Sequence, residues 1–155
     1  MILNIRPVRL EDLDEIMEIE RKCFLVAWEY TVYLRICLEN GRVPSNENDM
    51  LLMDVFEKDG QIVGYVVWET NTQSKRGHIL NLAIIEDERR QGYGSMLIQH
   101  VEENLKRAGM ISTYLEVRES NIPARSLYEA FGYVISDRIA GYYFDEDAIE
   151  YSKSL

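Results

Sequence analysis

Arg89-Arg90-Gln91-Gly92-Tyr93-Gly94-Ser95 lies between an apolar strand-like run, His78 to Ile85, and a helical pattern from Ser95 to Ala108. Glycines let the backbone turn tightly and expose successive N–H groups. The helix that follows offers free N–H groups and the positive end of its dipole. Arg89 and Arg90 add local positive charge. Together these features suit an anion such as a pyrophosphate. A nucleoside-triphosphate loop, Gly-x-x-x-x-Gly-Lys-Ser/Thr, is absent, and the dinucleotide signature would need glycine at Leu97.

Downstream of this turn the pattern is α/β. Leu97, Val101, Leu105 and Ala108 share one helix face, and Gly109 ends the helix. Ser112 to Val117 reads as a strand. Pro123 can open a short helix that ends at Phe131-Gly132. Tyr133 to Ala140 and Ala148 to Ser152 read as closing strands. Upstream, His78 to Ile85 is preceded by Met50 to Glu57 and Ile62 to Glu69, joined through Asp59-Gly60, a strong hairpin signal. Asn71 to Gly77 is read as a polar connection, and residues 42–48 as a polar loop. Ile2 to Arg6 gives a first strand. Leu13, Ile16, Met17, Glu20 and Phe24 form one helical stripe, apolar except at Glu20, and Thr31 to Asn40 gives a second helix with Gly41 beyond it. The order β-α-α-β-β-β-α-β-α-β-β predicts a single α+β domain over residues 1–155, a mixed sheet with helices on its faces.

Composition narrows the partners. Apolar residues make up 46 % of the 155 and charged residues 28 %, a globular balance. The net charge of −10 disfavours direct binding to nucleic acid. No apolar run approaches the ~20 residues of a membrane span. The opening Met1-Ile2-Leu3-Asn4-Ile5-Arg6-Pro7 reads as a strand rather than a signal peptide. Cys23 and Cys37 form neither a disulfide framework nor a metal spacing. A cytoplasmic protein with no metal site is the expectation.

Arg89-x-x-Gly92-x-Gly94 between strand and helix resembles the acetyl-CoA pyrophosphate motif of the GNAT N-acetyltransferases. Leu115-Glu116-Val117-Arg118-Glu119-Ser120-Asn121, Leu127-Tyr128-Glu129-Ala130-Phe131-Gly132-Tyr133 and Gly141-Tyr142-Tyr143 narrow the likeness to protein N-terminal acetyltransferases, of the bacterial ribosomal-protein (RimI) and archaeal Ard types. The resemblance covers almost the whole chain. It implies a splayed sheet with acetyl-CoA as co-substrate between the strands His78 to Ile85 and Ser112 to Val117. Backbone groups of Leu82, Ala83 and Ile84 would hold the pantetheine and acetyl carbonyl. Arg89, Arg90 and the turn Gln91, Gly92, Tyr93, Gly94 and Ser95 would hold the pyrophosphate, and Asn121 and Tyr128 would lie near the thiol end.

The implied reaction is direct attack of an amine on a thioester, which needs a neutral amine, an oxyanion donor and an acid for the leaving thiolate. An α-amino group titrates near ~7.7–8.0 and a lysine near ~10.4, so roughly a tenth of α-amines are neutral at pH 7 against about 0.04 % of lysines. By the resemblance, Tyr128 is the acid, Glu116 the leading base and His78, opening the central strand, the second. Glu29 and Tyr30, between the first two helices, would line the peptide site, with Tyr142 and Tyr143 as the opposite wall. Val26-Ala27-Trp28 replaces the bacterial Phe-Pro-Trp, and Trp28-Glu29-Tyr30 the archaeal Pro-Glu-Asn-Tyr, so the preferred first residue stays open. His100 is read as exposed and uninvolved, and both cysteines as core. The expected substrate is a protein or peptide N-terminus, and an auxiliary ribosome-anchoring subunit is compatible with it. The alternatives are a GNAT acting on lysine side chains or small amines, and a non-catalytic acetyl-CoA-binding subunit or sensor.

Overall fold

A computed structural model describes residues 1–155. Strand β1, Leu3–Pro7, leads through a 3-10 turn into α1, Leu13–Cys23, and α2, Tyr30–Leu38. Asp14 and Glu15 in the first turn of α1 and Arg21 and Lys22 in its last complement the helix dipole. Asp12 fixes the entry to α1, accepting from Arg9 N at 2.8 Å and from two nitrogens of Arg6 at 2.8 and 3.0 Å.

Residues 42–48 are not all loop. Arg42–Pro44 form a short strand, β2, on the edge of β3, Met50–Lys58. Val43 is buried there between Arg42 and Pro44, which gives the segment a reason to pair. Strand β4, Gln61–Asn71, follows a turn in which Asp59 and Gly60 both take positive φ, as a tight hairpin requires. The polar connection expected over Asn71 to Gly77 is also shorter. Strand β5 spans Arg76–Ile84, so only Thr72 to Lys75 turn. His78 is therefore the third residue of its strand, not the first. Polar composition misled at both places because Arg42, Pro44, Asn71 and Arg76 stay at least partly in water while Val43 and Gly77 beside them are buried.

Helix α3, Tyr93–Arg107, strand β6, Ser112–Arg118, helix α4, Ile122–Ala130, and strands β7, Val134–Ile139, and β8, Ala148–Ser154, complete the chain. The sheet order is β1-β3-β4-β5-β6-β8-β7. Every pairing is antiparallel except β5 with β6, whose ladder runs only from Arg76↔Ser112 to Ile79↔Leu115. Two cores sandwich the sheet. One, with Leu97, Ile98, Val101 and Leu105, lies under α3; the other, with Ile16, Met17, Tyr33 and Ile36, lies under α1 and α2.

Strand β5 carries a bulge. Val67 faces Asn81 and Trp68 faces Ile79, leaving Leu80 as the extra residue. A bulge shifts the two-residue alternation of faces by one. Ile79 accordingly packs in the α3 core, and so do Leu82 and Ile84, while Leu80 and Ala83 pack toward α1 and α2.

Candidate active site

The glycine turn adopts the form expected of an anion cradle. Arg90 has φ 63° and Gly92 φ 84°, both in the left-handed region that only glycine enters without strain. Gly92 caps α3 from the N-terminal side, and no side chain bonds to the free N–H groups of the first turn. A Cβ on Gly94 would stand 3.0 Å from the Leu127 Cδ2, so glycine there lets α3 start close against α4. Tyr93 turns into the core, its ring 4.8 Å from that of Phe56, while its Oη donates to Gln91 Oε1 of the turn at 3.3 Å. Arg89 bends back instead of pointing outward: its Nε donates to Ile84 O at 2.9 Å, clamping the turn to the end of β5. Arg90 and Gln91 are exposed. A free helix N-terminus, a left-handed turn and an exposed arginine fit a pyrophosphate.

Beyond Ile79 and Leu115 the two parallel strands separate, leaving the edge of β5 from Leu80 to Ile84 with no strand beside it on the β6 side. At the apex of this opening His78 Nε2 lies 2.6 Å from Glu116 Oε2. The His78 ring stacks on Tyr114, centroids 4.1 Å apart, and its Nδ1 is 3.4 Å from Glu69 Oε1. Glu116 Oε1 has no protein partner. The structure thus makes one unit of the two residues that the sequence ranks as rival bases.

The surrounding groups are mostly aromatic. Tyr128 is buried against Tyr133 and Tyr151, and that burial pushes its phenol up to about 12. Burial, then the charge of Glu116, raises the Tyr142 phenol. Tyr143 is raised by burial, by Tyr142 and by Glu116, and the Arg118 guanidinium lies 4.5 Å over its ring. Both phenols are thus within reach of the Glu116 charge. Asn121 caps α4, its Oδ1 accepting from Ala124 N at 3.2 Å, so only its NH2 group is free. Glu29 and Tyr30 start α2 and are exposed; no hydrogen bond or ion pair ties them to Glu116. Two depressions, about 410 and 520 Å³, adjoin His78 and α2 respectively and share Ser45 and Glu69. Glu69 escaped the sequence reading because one glutamate in a strand gives no signal.

The profile of the acetyltransferase (GNAT) family matches residues 13–133, most of the chain, including the glycine turn, His78, Glu116 and Tyr128. The chain belongs to the acetyltransferase (GNAT) family. Acetyl-CoA is the co-substrate of this GNAT enzyme, as of its family. An N-alpha-acetyltransferase of Sulfurisphaera tokodaii is 32 % identical over 94 % of this chain and 89 % of its own length. A putative [ribosomal protein bS18]-alanine N-acetyltransferase of Bacillus subtilis is 34 % identical over 94 % and 91 %. Among solved structures, Ard1 from Thermoplasma volcanium superposes with a TM-score of 0.85 at 23 % identity, covering 100 % of this chain and 99 % of that one. The α+β fold read from the sequence is thus that of known GNAT structures.

His100 corrects the sequence reading. It is half-buried, and its Nε2 lies 2.6 Å from Oδ2 of Asp54, a buried residue of β3. Arg42 Nη1 lies 2.8 Å from the other oxygen, but its N–H bonds go to the carbonyls of Gly41 and Met53, so that contact acts through charge. Burial opposes ionisation of Asp54, yet the His100 hydrogen bond and Arg42 outweigh it and hold the carboxyl below its ordinary range. Of the cysteines, Cys37 is buried and its thiol is pushed up to about 11 by burial; Cys23 is half-buried beside Ile84 O. No helix is long and apolar enough to cross a membrane.

Proposed function

We propose that this GNAT enzyme acetylates the α-amino group of protein or peptide N-termini by direct attack in a ternary complex, in the cytoplasm. The observation that carries the reading is the His78–Glu116 pair at the apex of the β5–β6 opening, whose carboxylate charge reaches the phenols of Tyr142 and Tyr143. The names of the Sulfurisphaera and Bacillus relatives support the choice of amine.

Acetyl-CoA supplies the activated acetyl group. Arg90 and the backbone of Gln91 to Ser95 would hold its pyrophosphate. The unpaired edge of Leu82, Ala83 and Ile84, with the Asn121 amide, would hold the rest. On the peptide side, the phenol faces of Tyr142 and Tyr143 and the carboxylate of Glu29 suit an ammonium group that is losing water. Tyr30 extends that wall. Glu116 accepts the amine's proton at its free Oε1, directly or through one water, while His78 on Oε2 fixes the carboxylate's orientation. A carboxylate suffices because an α-amine is already partly neutral at pH 7. The Tyr128 phenol, raised to about 12, stays protonated at neutral pH and has its Oη proton available for the departing sulfur.

The test is a peptide panel with acetyl-CoA, varying the first two residues (Met, Ala, Ser, Thr and acidic starts), alongside matched peptides with a blocked N-terminus and a free lysine. Thiol release and mass spectrometry report rate and site. Acetylation confined to free N-termini is the expected result. Acetylation of the blocked lysine peptides alone would replace the substrate and keep the chemistry.

A further inference from the structure

Glu20 is the one charged residue on the buried stripe of α1, and its side chain is fully buried. A carboxylate in such a place costs several kcal/mol unless hydrogen bonds replace the water it loses. Four donors supply them, three from α2, β4 and β5 and one from the connection just before α2. Its Oε1 accepts from Tyr33 Oη of α2 at 2.9 Å, from Tyr65 Oη of β4, and from Asn81 Nδ2 of β5 at 3.0 Å. Its Oε2 accepts from the backbone N–H of Trp28 at 2.8 Å. Asn81 Nδ2 also donates to Tyr33 Oη at 2.8 Å. No cation joins the cluster. Burial first, and the neighbouring charge of Glu20, raise both phenols, which keeps them protonated as donors.

Two of these donors stand at the two sides of the reaction. Trp28 N–H belongs to the residue immediately before Glu29 and Tyr30, and the Trp28 ring stacks on Tyr33 with centroids 5.4 Å apart. Asn81 follows the extra residue of the β5 bulge and immediately precedes Leu82, Ala83 and Ile84. One carboxylate therefore holds both the loop on the amine side and the strand on the thioester side. We infer that Glu20 is a positioning residue, fixing the amine-binding loop and the acyl-binding edge of β5 in one mutual register. An apolar side chain of the same size could fill the core, but it would leave Trp28 N–H and the Asn81 amide without their shared anchor. Small errors in the separation of reacting groups cost rate without costing affinity for either substrate alone. The inference rests on the proposed function for the roles of the two walls.

The experiment compares Glu20→Gln with Ile36→Val in the full chain. Ile36 is in the same core but outside the network, so the second variant reports packing loss alone. A glutamine keeps the shape, but its NH2 group cannot accept the bond that Trp28 N–H or its neighbours donate. Assays run well below both melting temperatures, on whichever amine the unmodified enzyme acetylates. Glu20→Gln is expected to lower kcat by about 10-fold or more, the penalty for misplacing reacting groups. CoA affinity, to which the glycine turn contributes through groups outside this network, is expected to stay within about threefold, and Asn81→Ala added to Glu20→Gln should cost little more, as for members of one network. Ile36→Val should leave kcat unchanged. The inference is overturned if Glu20→Gln keeps kcat within about twofold, or if Ile36→Val loses as much. Failure of the N-terminal substrate reading would show separately, in the panel with the unmodified enzyme, and leave this comparison intact on another amine.

Discussion

The protein contains two histidine–carboxylate pairs with the same 2.6 Å separation, His100–Asp54 and His78–Glu116, and they have opposite settings. Exposure of the ring does not distinguish them: the His100 side chain is 24 % accessible and that of His78 15 %. The carboxylates do. Asp54 is 2 % accessible, faces α3, and has Arg42 against its second oxygen. Glu116 is held on one oxygen only and lies just past the point where the β5–β6 ladder ends. A carboxylate engaged at both oxygens ties elements together; one with a free oxygen at the mouth of a cleft can take a proton. The distance alone carries no function.

That contrast can be broken by exchanging the losses. Asp54→Asn removes the charge facing His100 and Arg42 in a buried site, and should cost about 3 kcal/mol of stability, as breaking a buried pair does, with kcat of the folded enzyme unchanged. Urea denaturation checks the first part and steady-state rates the second. Because the folded-state carboxyl of Asp54 is held below its ordinary value, its contribution is present above the unfolded pKa of about 3.9 and fades as pH falls through the lower folded value. Unfolding midpoints measured from pH 6 down to pH 3 should therefore fall less steeply in Asp54→Asn than in the unmodified enzyme. Glu116→Gln should do the reverse: kcat/KM for peptide drops about 100-fold, typical of a lost general base, while the melting temperature barely moves. Equal activity in Glu116→Gln and the unmodified enzyme would dissolve the contrast. The smallest expected effect is that of Tyr128→Phe. It should retain CoA affinity by calorimetry and lower kcat by about tenfold, because one proton donor is lost while the ring's packing stays.

The sequence made most of the frame legible, because its signals are local. Asp59-Gly60 is the hairpin turn it looked like, the Leu97 to Leu105 stripe lies on the core, and Gly92 and Gly94 shape the turn into α3. Arg42–Pro44 and the ends of β4 and β5 were hidden, since a strand edge in water has the composition of a loop. For the candidate site the sequence offered residues and not their arrangement. His78 and Glu116 are 38 positions apart, and only the short parallel ladder joins them. His100 was misjudged because its partner, Asp54, is 46 positions away. Glu20 gave a local signal, a charge on an apolar stripe, but its four donors come from three later segments of chain.

The short ladder between β5 and β6 has one more consequence. Four residue pairs are all that stitch the β1–β5 half of the sheet to the β6–β8 half, where β3 and β4 share eight. The fold has in effect left a slot in its own sheet, and an acyl carrier laid along that slot would serve as a removable strand. Catalysis and cohesion of the sheet would then draw on the same opening: the core under α3 joins the two halves throughout, and a cofactor in the slot would add stability to the edges the ladder leaves unpaired.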